Sequence, residues 1–387
     1  YYLRHNQDAD AIGVRALDDH TVEFRLVAPA PYFMSVMNRP DGGPQPRHAI
    51  ERLGDEWTDP GKQVVSGAFR IASRTDDLLV LERRGEYDRP RPGNATRVEL
   101  VRSDVKGAAQ AYVASEIDLI TIRYTPRFAD LVGDLAADVT SGAASWSAYV
   151  AFDHADPALS NLELRRALSY AIDREAFDVP ANLVVARGGI VPPALQGHTP
   201  DIVLPFDPDA ARACFERSGL GKVRLTVGGS DTWMPYLQTL TETWRDVLGI
   251  ESEIRPWTFE VAYSVPKLTD LANVYLTGWL PGYPDPEYYL RLLFQSDSRT
   301  NEGGFSHPPF DDLIERARQE RSDRRRLELY HEADRMAVAE RVAVIPLVYG
   351  RSMAYVKPWV HGWWEFGKSS DNFADLVVDP SSPRSGG

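Results

Sequence analysis

Residues 342–349 read VAVIPLVY, an apolar run with almost no alternation. A strand with one wet face alternates apolar and polar side chains, whereas a run like this suits a strand covered on both faces. Such a chain has to supply two covering layers. From residue 150 onward, strand-like and helix-like stretches alternate. SNLELRRALSYAIDREAF (160–177) opens with capping-box spacing, Ser160 to Glu163, and sets Leu164, Ala167, Leu168, Ala171 and Ile172 on one helical face. DPDAARACFERSG (207–219) has Asp207 as N-cap, Pro208 at the first helical position and Gly219 as stop. VRLTVGG (223–229) reads as a strand, and PYLQTLTETWRDVLG (235–249) as a helix turning Leu237, Leu240, Trp244, Val247 and Leu248 inward. Two charged helices, 308–320 and 323–340, precede the apolar run.

The first 150 residues are richer in strands. TVEFRLV (21–27) alternates and predicts a strand with one buried face. A proline-rich, irregular passage runs to about residue 66; GAFRIAS and LLVLERR then read as paired strands and TRVELVR as another. GAAQAYVAS predicts a helix feeding the strand IDLITI. There are no repeats, and low complexity is confined to the tail DPSSPRSGG, read as frayed. The class is α/β, with more than one lobe.

Several function classes drop out on composition. The 387 residues carry 43 basic and 56 acidic side chains, a formal charge of −13. A surface that acidic repels phosphate backbones, so nucleic acid is not an expected partner. No apolar run is long enough to span a bilayer as a helix. The single cysteine, Cys214, rules out an intrachain disulfide and reads as a buried, inert thiol on a helix's apolar face. The opening YYLRHNQDADAIGV lacks the features of a signal peptide and resembles the tail of a helix, as though the numbering begins inside a longer protein.

Catalytic signatures are equally scarce. There is no G-x-S-x-G elbow, no phosphate loop and no dinucleotide fingerprint. HEADR (331–335) has Arg335 where a zinc protease needs its second histidine. HAD (154–156) reads as a turn, and Asp311–Asp312 as acids complementing a helix dipole. No cofactor or metal is expected, and an enzyme is the weaker class. The stretch that asks for a function is GWLPGYPDPEYYL (278–290), too aromatic for an idle loop and too broken by proline for a helix or central strand. It follows the apolar strand NVYLTGW, at the end where α/β sheets bind ligands. Its aromatic side chains either grip a ligand or pack onto neighbouring helices, and spacing alone leaves the two even.

The order of several segments resembles the bacterial extracellular solute-binding proteins of family 5, the oligopeptide, dipeptide and nickel binders of ABC importers. The segments are IGVRALDDHTVEFRLVAPAPYF (12–33), AIERLGDEWTDPGKQVVSGAFRI (49–71), AYVASEIDL (111–119), LSNLELRRALSYAIDREAF (159–177), GWLPGYPDPEYYL (278–290), FDDLIERAR (310–318) and VIPLVYGRSMAYVKPWVHG (344–362). The resemblance implies a two-lobe, hinge-closing fold of the type II periplasmic-binding class. Lobe I would comprise 67–152 and 347–387, lobe II 153–346, and residues 1–66 would be a remnant of the family's extra subdomain. It further implies a monomer outside the cytoplasm that presents a small ligand (peptide, sugar or chelate) to importer permease subunits, with any membrane attachment through a lipid anchor outside this sequence. The same fold within a larger cytoplasmic transcriptional regulator is the alternative.

Carried over by position, Gly278 and Trp279 match the family's ligand-side GW, and Trp257 a second pocket aromatic. Ser66 and Gly67 match its NG segment at the cleft edge, with serine for asparagine. Tyr349 and Arg351 fall where the chain crosses back to the first lobe; Trp146 and Tyr149 lie on the strand entering the second. Tyr283, in the aromatic stretch, completes the expected ligand-binding set. One departure stands out: where many peptide binders of the family read G-W-x-x-D-Y and pair the aspartate with the peptide amine, this chain has Gly282. An amine buried without its counter-ion costs several kcal/mol. Asp285 and Glu287 are the nearby candidates to replace that aspartate.

Overall fold

The computed structural model describes residues 13–39, 43–87, 93–122, 139–180, 182–363 and 373–379. The readings of residues 1–12 as a helix tail and of 380–387 as a frayed end lie outside the described residues. The chain begins with a hairpin, β1 (Val14–Asp18) and β2 (Thr21–Phe24), followed by α1 (Phe33–Met37) and α2 (Arg47–Leu53). Strands β3 (Phe69–Arg74), β4 (Leu78–Arg83) and β5 (Arg97–Val101) form an antiparallel sheet of their own. Helix α3 (Val105–Val113) and β6 (Leu119–Ile122) precede the long β7 (Val139–Phe152). Next come α4 (Leu162–Tyr170), β8 (Leu183–Val185), α5 (Pro208–Arg217), β9 (Arg224–Ser230), α6 (Met234–Leu248), β10 (Glu251–Trp257), α7 (Phe259–Ser264) and β11 (Val274–Trp279). Helices α8 (Glu287–Phe294), α9 (Pro308–Gln319) and α10 (Asp323–Arg335) lead into β12 (Val344–Val356), and β13 (Val360–His361) pairs with β14 (Val377–Val378).

The apolar run opens β12, which lies near the centre of a seven-stranded sheet of order β10-β9-β11-β7-β12-β6, with β8 beside β12. Strands β9, β10 and β11 are mutually parallel, and β7 runs antiparallel to both β11 and β12. Alternate residues of β7 enter different cores. Ala148, Val150 and Phe152 pack with Leu164, Leu168, Cys214, Leu237 and Trp244 on one side of the sheet. Tyr149 and Ala151 pack with Tyr289, Leu290, Phe310 and Leu329 on the other. The continuous apolar run is therefore the consequence of helices on both faces. Burial also pushes the Cys214 thiol up, in keeping with an inert side chain.

Two local expectations are corrected. The N-cap of α4 is Asn161, whose side chain accepts from the N–H groups of Glu163 and Leu164, while Ser160 Oγ donates to Pro157 O. A hydroxyl engaged with a carbonyl on its own side of the turn leaves the helix's free N–H groups to the next residue. The strand at 21–27 shortens to 21–24 and has no buried face: Val22 is 55% and Phe24 37% exposed. It is half of a two-stranded ribbon, and although Phe33 at the start of α1 meets Phe24 edge-on at 5.2 Å, that short helix leaves the strand's face exposed.

Buried polar groups tie the layers together. Arg165 on α4 donates to the carbonyls of Val342, Leu159, Ser160 and Arg341 at 2.6–3.0 Å, joining the helix to the turn before β12. Burial lowers its guanidinium to about 10, so it remains a cation at neutral pH. Asp334, near the end of α10, is fully buried; its Oδ1 accepts from Ile190 N at 2.9 Å and its Oδ2 has no hydrogen-bond partner. Tyr349 of β12 donates to Gly189 O at 2.6 Å, pinning the same loop.

Burial pushes the Asp334 carboxyl up to about 7. A carboxyl raised in the folded chain binds its proton more tightly there than in the unfolded chain. Its contribution is fully present below pH 4 and is lost as the pH rises through about 7. Asp334→Asn keeps an acceptor for the Ile190 N–H and removes the titration. The stability of the parent relative to Asp334→Asn should therefore fall by about 2 kcal/mol between pH 5 and pH 8, as read by urea melts of both proteins at each pH.

Candidate functional site

Each of the three parallel strands delivers a tryptophan at its C-terminal end: Trp257 closes β10, Trp279 closes β11, and Trp233 follows β9 within one turn. A cavity of about 1420 Å³ opens along these ends, bordered by all three. Pockets for drug-sized ligands occupy roughly 300–1,000 Å³, so this one suits a longer solute.

One wall is a chain of rings. Phe177 stacks on Tyr236 at 5.3 Å, Tyr236 meets Trp233 edge-on at 5.0 Å, and Trp233 stacks on Trp146 at 5.9 Å. Trp146 in turn lies against the backbone of Gly278, where a Cβ would come within 2.6 Å of the indole. That contact gives the glycine of the GW pair a packing reason: any larger side chain displaces the ring. Gly228 on β9 serves Trp257 the same way, with a Cβ position 2.1 Å from that indole. Tyr149, Trp257, Tyr275, Phe294 and Phe305, from the core on the other face of the sheet, also line the cavity. Phe259, Tyr263 and Leu280 form an exposed apolar rim.

Charged groups are few. His154 borders the cavity with Nε2 3.2 Å from Ala343 O; burial lowers its pKa to about 4, so the ring is neutral at physiological pH. Among the described residues, Asp178, Lys267 and Glu302 are the charged side chains on the wall. Among the described residues no group of three or more His, Cys, Asp and Glu side chains could hold a metal ion.

Of the residues singled out from the sequence, Trp146, Tyr149, Trp257, Gly278 and Trp279 come together on this cavity. The others lie elsewhere. Tyr349 is buried against Gly189 and His198. Arg351 is exposed and donates from Nη2 to Ser141 Oγ at 3.0 Å. Ser66 and Gly67 are exposed, with Gly67 O accepting from Arg84 Nη1. Tyr283 stacks on Tyr32 at 4.4 Å and donates to Glu287. A ligand role for these five rests on the resemblance alone.

The aromatic stretch thus divides its labour. Trp279 and Leu280 reach the cavity, while most of the remainder clamps the loop. Trp279 Nε1 donates to Tyr288 O at 3.2 Å, Tyr289 OH donates to Trp279 O at 2.8 Å, and Arg39 Nη1 donates to Gly282 O at 2.9 Å. The two acids considered as substitutes for the missing aspartate are already engaged. Asp285 accepts from Arg326 Nη1 through both oxygens, at 2.9 and 3.0 Å, and the buried Glu287 pairs with Arg291. Neither borders the cavity. Spacing gave no warning of Arg326, which arrives from α10, although Arg291 lies four residues after Glu287 on α8, an i, i+4 pairing the sequence could have shown. Sequence reasoning also passed over Trp233, Tyr236, Phe177, Tyr275 and Glu302. For Trp233 the signal existed: a tryptophan within one turn of a parallel strand's C-terminal end, where Trp257 and Trp279 also stand.

The model of the bacterial extracellular solute-binding proteins, family 5 (Middle), matches residues 1–301. The chain belongs to this family. Among relatives, the periplasmic oligopeptide-binding protein OppA of Salmonella typhimurium is 27% identical over 379 residues, covering 92% of this chain and 68% of that protein. The structure of the Escherichia coli murein tripeptide binding protein MppA superposes with a TM-score of 0.74 at 21% identity, over 97% of this chain and 76% of that one. A putative peptide binding protein, AppA from Clostridium difficile, gives a TM-score of 0.80 at 20% identity, over 95% and 78%. At such identities the structural likeness bears on the fold, which is the two-lobe α/β periplasmic-binding fold. As a family 5 protein, the chain is a solute-binding component of an ABC importer.

The Gly278–Trp146 contact offers a direct check on the wall. Gly278→Val should unseat Trp146 from Trp233 and lower unfolding stability by about 1–3 kcal/mol. Near-ultraviolet circular dichroism should lose the signal of the stacked indoles, and a conserved spectrum would refute the packing.

Proposed function

We propose that this family 5 protein captures a short peptide in the tryptophan-lined cavity and presents it, outside the cytoplasm, to the permease subunits of its importer. The observation that carries the reading is the convergence of three strand-end tryptophans on one large, mostly apolar cavity. Aromatic faces supply broad contact at low entropy cost and tolerate varied side chains, as a peptide binder requires. Relatives named for oligopeptide and murein peptide binding support the ligand class. Binding here needs no bond-breaking chemistry, only a higher affinity for solute in the closed than in the open form. No described helix is long and apolar enough to cross a membrane.

The lobe division of this reading places 67–152 with 347–387 in one lobe, 153–346 in the other, and 1–66 in a separate subdomain. It draws support from β7 and β12, which lie side by side where the chain would cross between lobes. The protein would act as a monomer. The regulator alternative has no support in the family match, which is to importer binding components. Trp146, Tyr149, Trp257, Gly278 and Trp279 form the proposed contact set, with Trp233 and Tyr236 added from the geometry.

Thermal melts against tri- to pentapeptides, sugars and metal chelates test the ligand class. A peptide at one hundred times its Kd stabilises by about 2.7 kcal/mol, roughly 3 °C for a chain of 387 residues. Trp257→Ala and Trp279→Ala should each weaken that binding by about thirtyfold, a tryptophan hot spot being worth about 2 kcal/mol. Stabilisation by sugars or chelates alone would keep the capture role and replace the peptide.

A further inference from the structure

If a peptide enters this cavity, its positive charge has to be met by something other than residue 282. Of the charged side chains on the wall, Asp178 and Lys267 are exposed, whereas Glu302 is half-buried. No ion pair of the described residues includes Glu302; its Oε2 accepts one backbone hydrogen bond, from Leu268 N at 3.3 Å. The loop that carries it is held rigidly. The buried Asn301 donates to Gln295 O and Phe305 O and accepts from Phe305 N at 3.1 Å, and His154 N donates to Gly303 O at 2.8 Å. This bracing fixes a carboxylate at the wall whose nearby cation, Lys267, is exposed and makes no ion pair with it among the described residues.

We propose that Glu302 is the anchor for a cationic group of the captured solute, an ammonium or guanidinium, at the end of the cleft bordered by Tyr149, Trp257 and Tyr275. The assignment rests on the capture reading above and specifies its substrate class. Burial pushes the Glu302 carboxyl up, and the Leu268 N–H and the charge of Lys267 offset only part of that. A cation arriving beside it recovers the lost solvation, and the surrounding aromatic rings add attraction for the same charge. Burial above all, with the charge of Glu302 adding to it, keeps the phenols of Tyr149 and Tyr275 protonated, so both hydroxyls can serve as hydrogen-bond donors to a ligand. Asp178, the other carboxylate on the wall, follows Phe177 and is exposed, so water screens it.

The cation could be a peptide's N-terminal amine or a basic side chain, and four probes separate the two. Calorimetric titrations of the parent, Glu302→Gln and Glu302→Asp would use Ala-Ala-Ala, its N-acetyl derivative, Ala-Lys-Ala and Ala-norleucine-Ala. Parent protein should prefer the cationic member of one pair by about tenfold or more, the scale of a charge-assisted contact. Loss on acetylation identifies the amine, and loss on changing lysine to norleucine identifies the side chain. Glu302→Gln should abolish that preference while binding the neutral member as the parent does, and Glu302→Asp should retain part of it. Equal binding of both members by the parent, or a preference that survives Glu302→Gln, would overturn the assignment and leave peptide capture standing. Should none of the four bind the parent, peptide capture itself falls and the assignment falls with it.

Discussion

The antiparallel ladder between β7 and β12 is the constraint from which the remaining architecture follows. Its two strands are 14 and 13 residues long, and their inner halves are buried on both faces. A sheet buried on both faces leaves its backbone satisfied only by neighbouring strands and its side chains only by covering helices. On one side α4, α5 and α6 fill that demand, on the other α8, α9 and α10. Because β11 pairs with β7, and β9 with β11, the ladder also fixes where the parallel strands stop. Their ends are the cleft. Arg165 reinforces the arrangement at the opposite end, spending its guanidinium donors on carbonyls beside β12.

At the strand ends, packing and binding use the same residue types for different purposes. Trp146 and Trp233 stack on each other and still present surface to the cavity, whereas Tyr283 and Tyr289 are consumed in holding the loop that follows β11. The Asp285–Arg326 pair anchors that loop to α10 from within the protein interior. Buried pairs of this kind are expensive to break, because removing either partner strands the other charge. The consequence for function is a rigid wall, preorganised on the β11 side, facing a rim around α7 whose apolar side chains are exposed.

Much of this was legible in the sequence wherever one periodicity ruled. The apolar run of β12, the inward stripes of α4 and α6 and the Asp207 cap of α5 follow from local pattern, and the structure reproduces them. The strand at 21–24 misled because alternation reports the capacity to bury a face, and burial itself depends on a partner layer. The capping residue of α4 misled because two adjacent polar residues compete, and only the turn geometry decides between Ser160 and Asn161. Within the site, the tryptophans at strand ends were readable, since position along a parallel strand suffices to place them. Which acid faces the cavity was legible only in part: Glu287 has Arg291 four residues on in the same helix, a pairing that spacing alone can show, whereas Asp285 is removed from play by Arg326, which arrives from the distant α10.

That removal bears on how a binder of this design selects its solute. Phe259, Tyr263 and Leu280 at the rim are 64%, 84% and 52% exposed, so closing over a ligand would remove apolar surface from water whatever the ligand's identity. A non-directional driving force of this kind supplies affinity and little choice. Choice requires a group whose burial is unfavourable with the wrong solute, which a half-buried carboxylate provides, since closure over a neutral ligand leaves the charge with one backbone hydrogen bond and the charge of the exposed Lys267. In the capture reading, then, the aromatic walls and rim make closure possible for many solutes, and the charge balance at Glu302 decides for which of them it is favourable.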